Sequence, residues 1–227
     1  MASLPVFEGA VLVGGQSRRM GRDKAWIDID GRPQALVAVT ALLEAGARSV
    51  AVVGADRDQE RFARAFDDAA DRSGSKPAAF FLDDLYPGEG PLGGVVTALD
   101  HFTDHPVVVL SCDLPRVRPR AVTALVQGLE LGRPVGSVRA APSVSSLERV
   151  DVAMAVVDRR RQPLAAAYGP RARAVLIDRF TAGERRLLVA MAGLVVAEIE
   201  PPDDLELTDA DDPESLDRLL GGRPTPR

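Results

Sequence analysis

The residues best suited to chemistry in this chain are one lysine, one aspartate and two glycine-rich turns. Residues 11 to 25 read VLVGGQSRRMGRDKA, an apolar run followed by glycines, paired arginines and Lys24. Lys24 and Lys76 are the only lysines among 28 basic residues. Arginine grips phosphate as a planar fork, whereas lysine supplies a compact point charge on a flexible stem, suited to phosphates whose charge moves during reaction. Lys76 lies in RSGSKP (72 to 77), which reads as a solvated loop. Lys24 follows glycines that let backbone N–H groups approach an anion closely. The run DDLYPGEGPLGG (83 to 94) offers a second glycine-rich turn, and CDLP (112 to 115) places Asp113 at the end of an apolar run. Magnesium takes hard oxygen ligands, commonly one or two carboxylates with substrate phosphates and water. Asp113 therefore reads either as a metal ligand or as a structural cap.

These groups need a scaffold that brings them together. Four β-type runs, at 9 to 15, 49 to 55, 78 to 84 and 106 to 113, are nearly continuous in apolar residues, as in a parallel sheet covered on both faces. Helical patterns at 33 to 47, 57 to 71 and 91 to 102 fall between them, giving βαβα alternation. In such sheets ligands gather beyond the carboxyl ends of the strands, where the marked residues lie. Further on, 150 to 158 and 164 to 169 read as an antiparallel pair joined by the turn RRRQP. Residues 170 to 180 and 182 to 193 read as helices, 195 to 200 as a late strand, and 209 to 220 as a helix capped by Asp212 with Pro213 at its first position. The expected fold is α/β, a Rossmann-like three-layer sandwich with a mostly parallel mixed sheet. Residues 1 to 220 are expected to form a single domain, with 221 to 227 a flexible tail.

Composition narrows the partners. With 46% hydrophobic residues and a net charge of −5, the chain is an ordinary globular protein whose bulk charge does not favour nucleic acid. It has one cysteine, no long apolar stretch and no basic leader, so the expected location is cytoplasmic, with no membrane partner. Neither standard phosphate fingerprint fits. Gly15 and Gly21 are separated by five residues, one more than a P-loop allows, and Arg22 follows; no G-x-G-x-x-G occurs either. Cys112 reads as a buried strand-end residue, His101 and His105 as surface residues, Asp84 as a solvated neighbour of Asp83, Trp26 as packing, and RRR (159 to 161) as a solvated turn. Arg18 and Arg19 read as phosphate contacts.

Taken together, LVGGQSRRMGRDKA, YPGEGPLGG, CDLP and AGERRLLVAM resemble the molybdenum cofactor guanylyltransferases of the MobA-like nucleotidyltransferase group, over residues 7 to 220. The resemblance implies a nucleotide-diphosphosugar transferase type of fold. It also implies transfer of GMP from GTP to molybdopterin with Mg²⁺, releasing pyrophosphate. By the same resemblance Leu12, Val13, Gly14 and Gly15 line the nucleotide, Lys24 meets its phosphates, and Gly54 and Asp83 lie near base or ribose. Gly93 and Gly94 form the guanine-type loop, Asp113 binds nucleotide and magnesium, and Arg185 and Arg186 are candidate contacts to the acceptor phosphate. Arg19, from its place between the glycines and Lys24, is taken as catalytic with Lys24 and Asp113. Transient contacts with other cofactor-biosynthesis proteins or recipient molybdoenzymes are implied. Three departures stand out: Val13 in place of alanine, Gly54 in place of asparagine, and Asp209 and Asp211 in place of two asparagines of N-x-N-T-P. Alternatives are a cytidylyl or sugar-phosphate nucleotidyltransferase and a non-catalytic nucleotide-binding homologue.

Overall fold

In the computed structural model the described residues are 4–14, 24–29, 31–54, 59–73, 78–131, 149–210 and 212–221. The strands are β1 (Glu8–Leu12), the two-residue strands β2 (Asp28–Ile29) and β3 (Arg32–Pro33), β4 (Val50–Gly54), β5 (Ala79–Asp83), β6 (Val107–Ser111), β7 (Val152–Val157), β8 (Arg160–Tyr168) and β9 (Val196–Ile199). The helices are α1 (Gln34–Glu44), α2 (Gln59–Ser73), α3 (Pro91–His101), α4 (Pro119–Leu131), α5 (Pro170–Thr181), α6 (Leu187–Ala190) and α7 (Pro213–Leu219).

Seven strands form one sheet in the order β5-β4-β1-β6-β8-β7-β9. The four apolar runs are its parallel half, and β8 alone runs against its neighbours β6 and β7. Because strands buried on both faces lose solvent from every side chain, alternation disappears and the sequence reads as unbroken valine, alanine and leucine. Residues of α1, α2 and α4 pack on one face and residues of α3, α5 and α6 on the other, giving three layers. The chain leaves β1 toward β4 and β5, then returns to β6 on the other side of β1, so the order reverses between β1 and β6. That reversal opens a crevice at the carboxyl ends of these strands. Among the described residues no helix is long and apolar enough to cross a membrane.

Three local expectations are corrected. The turn between β7 and β8 is Asp158–Arg159, both with positive φ (48° and 61°), as a two-residue hairpin demands. Arg160, Arg161, Gln162 and Pro163 accordingly belong to β8. The helix expected over 182 to 193 is only Leu187–Ala190. Gly183, at φ +97°, ends α5, and the Glu184 carboxylate accepts the N–H groups of Arg185 and Arg186, holding 184 to 186 out of the helix. Asp84 is not simply solvated, since its Oδ1 accepts from Tyr86 N at 2.9 Å and Thr97 Oγ1 at 3.1 Å, which fixes the loop after β5. The last helix is as expected: Asp212 caps α7 by accepting from Ser215 N, and Pro213 opens it.

Candidate active site

The residues named from sequence gather at the carboxyl ends of β5, β4, β1 and β6, four strands adjacent in that order. Leu12 ends β1 beside Ser111 and accepts the N–H of Cys112 at 3.1 Å. Val13 donates its N–H to Val53 O at 2.8 Å and buries its side chain. Gly14 follows at φ +123°, a backbone state that a residue with a Cβ rarely adopts. Gly15, Arg18, Arg19 and Asp211 lie outside the described residues, as do Lys76 and residues 222 to 227 of the expected tail.

Lys24 reaches the residue that follows β6 by two positions, Asp113. Its ammonium lies 3.2 Å from Asp113 Oδ2, and the two side chains are 17% and 19% exposed. Ser111 Oγ donates to the other oxygen, Oδ1, at 2.6 Å. Asp113 is thus aimed from both sides, and its carbonyl accepts the N–H of Ala210 at 2.9 Å, tying the 208 to 210 segment to the site. The tie sets Asp209 beside the same cleft as Asp113. Trp26, two residues after Lys24, packs edge-on against Phe62 at 4.9 Å between ring centres, anchoring the returning loop on the core.

Gly54 stands in register with Asp83, and its carbonyl accepts from Asp84 N at 2.9 Å. A Cβ at Gly54 would come within 2.4 Å of Val13 Cγ2. Gly93 and Gly94 sit in the first turn of α3, pressed between other parts of the site. A Cβ at Gly93 would meet Tyr86 at 3.1 Å and Glu89 at 3.3 Å, and one at Gly94 would meet Leu12 at 3.3 Å. Small residues here let the 84 to 90 loop and β1 close onto the helix.

Beside Asp113 opens a cleft of about 350 Å³, lined by polar residues including Ser111, Asp113, Arg186 and Asp209 and by apolar groups such as Leu164 and Leu187. One wall comes from an irregularity in β8. Met154 pairs with Ala166 but Ala155 pairs with Gln162, so Pro163, Leu164 and Ala165 are extra residues that bulge. All three line the cleft. The buried Tyr168 hydroxyl donates to Pro163 O at 2.6 Å and holds the bulge. Sequence reasoning missed this wall because it placed Pro163 in a turn; within a strand, as here, proline is confined to edges and bulges. It also missed Ser111, which the two-residue spacing to Asp113 could have suggested.

Comparison with known proteins decides the family. A model of the MobA-like NTP transferase domain matches residues 9–194. The chain belongs to the MobA-like NTP transferase family. A MobA-like relative from Chloroflexus aggregans, named probable molybdenum cofactor guanylyltransferase, is 32% identical over 83% of this chain and 78% of its own length. A molybdenum cofactor guanylyltransferase from Pseudomonas entomophila is 31% identical over 85% of this chain and 86% of its own. The match to a probable molybdenum cofactor guanylyltransferase from Methanothermobacter thermautotrophicus is 40% identical but spans 48% of this chain and only half of that relative. Among solved structures, molybdopterin-guanine dinucleotide biosynthesis protein A from Archaeoglobus fulgidus superposes with a TM-score of 0.64 over 94% of this chain and 96% of that one. At 24% identity, that likeness speaks for the fold of this MobA-like chain.

Proposed function

We propose that this MobA-like protein is a guanylyltransferase that moves GMP from GTP to molybdopterin, giving the guanine dinucleotide cofactor and pyrophosphate. The observation that carries the reading is the Lys24–Asp113 contact at the β1/β6 reversal, with the cleft opening directly beside Asp113. A phosphate oxygen of the acceptor, seated in the cleft, attacks the α-phosphorus of the nucleotide; the new P–O bond forms as the bond to the β-phosphate oxygen breaks and pyrophosphate leaves. No protein nucleophile is needed, so the work of the chain is positioning and charge stabilisation. Lys24 meets the growing charge on the departing phosphates, with Arg19 as a further phosphate contact. Leu12, Val13, Gly14, Gly15, Gly54 and Asp83 line the nucleotide, and Gly93 and Gly94 let the guanine-side loop approach it.

The donor set fits Mg²⁺. Asp113 is a half-buried carboxylate at the junction of nucleotide site and cleft, oriented by Ser111, and magnesium needs only one or two carboxylates when substrate phosphates and water complete its shell. Among the described residues no group of three or more His, Cys, Asp or Glu could cage a metal without a substrate. Bound there, Mg²⁺ would neutralise phosphate charge. We take residues 1 to 220 as one catalytic unit, working in the cytoplasm in transient contact with the proteins that supply molybdopterin or receive the product.

The test is to incubate purified protein with Mg²⁺, molybdopterin and each nucleoside triphosphate in turn, measuring pyrophosphate and the dinucleotide. GTP-dependent formation of both is the expected result. A preference for CTP, turnover only with a sugar phosphate, or GTP binding without turnover would overturn it.

A further inference from the structure

The two arginines of the Gly183 to Arg186 turn point to different tasks. Arg186 lines the cleft, and Glu184 Oε1 accepts both its N–H, at 2.9 Å, and its Nε, at 3.3 Å, so the side chain is steered by its neighbour. Arg185 turns away. Its guanidinium lies over the Phe180 ring at 4.1 Å from the centre, donates to the carbonyls of Phe180 and Glu184 at 2.9 Å, and forms an ion pair with Glu89. Glu89 belongs to the other glycine-rich turn, 96 positions earlier. That turn has little slack: Tyr86 packs on Phe180 with ring centres 4.6 Å apart, and Tyr86 and Glu89 together fill the space beside Gly93. A shift at Gly93 therefore moves Glu89, and Glu89 pulls on the residue next to Arg186. Close-packed segments transmit such shifts rather than absorbing them.

We propose that Glu89 and Arg185 are a positioning pair that couples the nucleotide loop to the acceptor cleft, so that GTP and acceptor each strengthen the other's binding. The proposal rests on the reading above, in which the 84 to 94 turn meets the nucleotide and the cleft takes the acceptor. Neither residue touches the reacting atoms. The side chains of Glu89 and Arg185 are 47% and 42% exposed, and exposed ion pairs contribute little to stability, so the pair can be broken without unfolding the protein. Coupling is reciprocal by linkage, so it can be read from either substrate.

The experiment uses the full chain with Mg²⁺, molybdopterin and a GTP analogue carrying a methylene between the α- and β-phosphates, which blocks transfer. Calorimetry gives the analogue's affinity with and without molybdopterin. In the wild type the acceptor should tighten the analogue by about fivefold or more. Glu89→Gln keeps the other contacts of Arg185 and should reduce the factor to below about twofold, with the melting temperature moving by no more than about 2 °C. Arg185→Met should lose the coupling too, and the double variant should lose no more than either single change. A wild type that binds both ligands independently, or a Glu89→Gln variant that keeps the full factor, would overturn the proposal. A wild type that binds neither ligand would instead sink the proposed function on which it rests.

Discussion

Lys24 and Asp113 are 89 positions apart and meet at 3.2 Å between ammonium and carboxylate. Each is held where the other needs it: Trp26 anchors the loop of Lys24, and Ser111 and the Ala210 N–H fix Asp113. In the proposed reaction the ammonium turns to the phosphates. Lys24→Ala should lower kcat/KM by about 10²- to 10³-fold, the range for losing one preorganised charge-stabilising group, and Asp113→Asn should do the same. Lys24→Arg keeps the charge but replaces a point donor with a rigid fork, and should still fall by about tenfold or more. Steady-state kinetics checks each variant, with thermal melts to show that the fold survives. Full turnover in Lys24→Arg would remove the role assigned to lysine.

Val13 and Gly54 are two departures from the family pattern that the structure turns into one. A Cβ at position 54 would lie 2.4 Å from Val13 Cγ2, so the larger residue at 13 requires the smallest at 54. Gly54→Ala should overpack this corner at a cost of about 1–3 kcal/mol, and Val13→Ala should lose part of a buried side chain at a cost of about 1–3 kcal/mol. The double variant Val13→Ala, Gly54→Ala should recover much of the first loss, a coupling that independent sites do not show. At about 2–4 °C per kcal/mol for a chain of this size, melting temperatures suffice to close the cycle. Strictly additive shifts would mean that the two exchanges are unrelated.

The parallel half of the sheet was legible because burial on both faces writes strands as unbroken apolar runs, and the candidate site was proposed from the glycines and charges that mark the ends of those runs. Elements whose shape is set by tertiary contact were not. The helix α4 carries Gly128 in its interior, a poor helix former, yet Ile199 Cδ1 would lie 2.4 Å from any Cβ there. Packing against β9 decides that residue. The AGERR segment has helical composition, but Glu184 satisfies the backbone N–H groups that a helix would have used. The bond from Ala210 N to Asp113 O joins segments that no local pattern connects.

Asp209 brings a second carboxylate to the cleft, facing the same space as Asp113 and Arg186. An acceptor phosphate entering there meets the charge of Asp209 as well as that of Asp113, which Lys24 already pairs, and like charges a few ångströms apart repel. Asp209→Asn removes one of them. The acceptor KM should fall severalfold, with a weaker dependence on magnesium, while the KM for GTP stays within about twofold. A rise in acceptor KM would mean that the carboxylate at 209 helps to hold the acceptor through a cation instead of opposing it.

Tyr168 should report on the bulge through pH. Its ring is fully buried, and burial pushes the phenol well above its ordinary value of 10.0, while its hydroxyl holds Pro163 O. Below pH 10 the phenol is neutral in folded and unfolded chains alike, so its titration adds no slope. Above pH 10 the unfolded chain releases this proton and the folded chain does not, and stability falls by up to about 1.4 kcal/mol per pH unit. Tyr168→Phe removes that slope but forfeits the hydrogen bond, worth about 1 kcal/mol. The variant should therefore melt below the wild type at pH 8, and the gap should narrow between pH 10 and 11. Parallel melting curves across that range would contradict a neutral, buried Tyr168. Because the same hydroxyl shapes the cleft wall at Pro163, the variant should also raise the acceptor KM at neutral pH more than the KM for GTP.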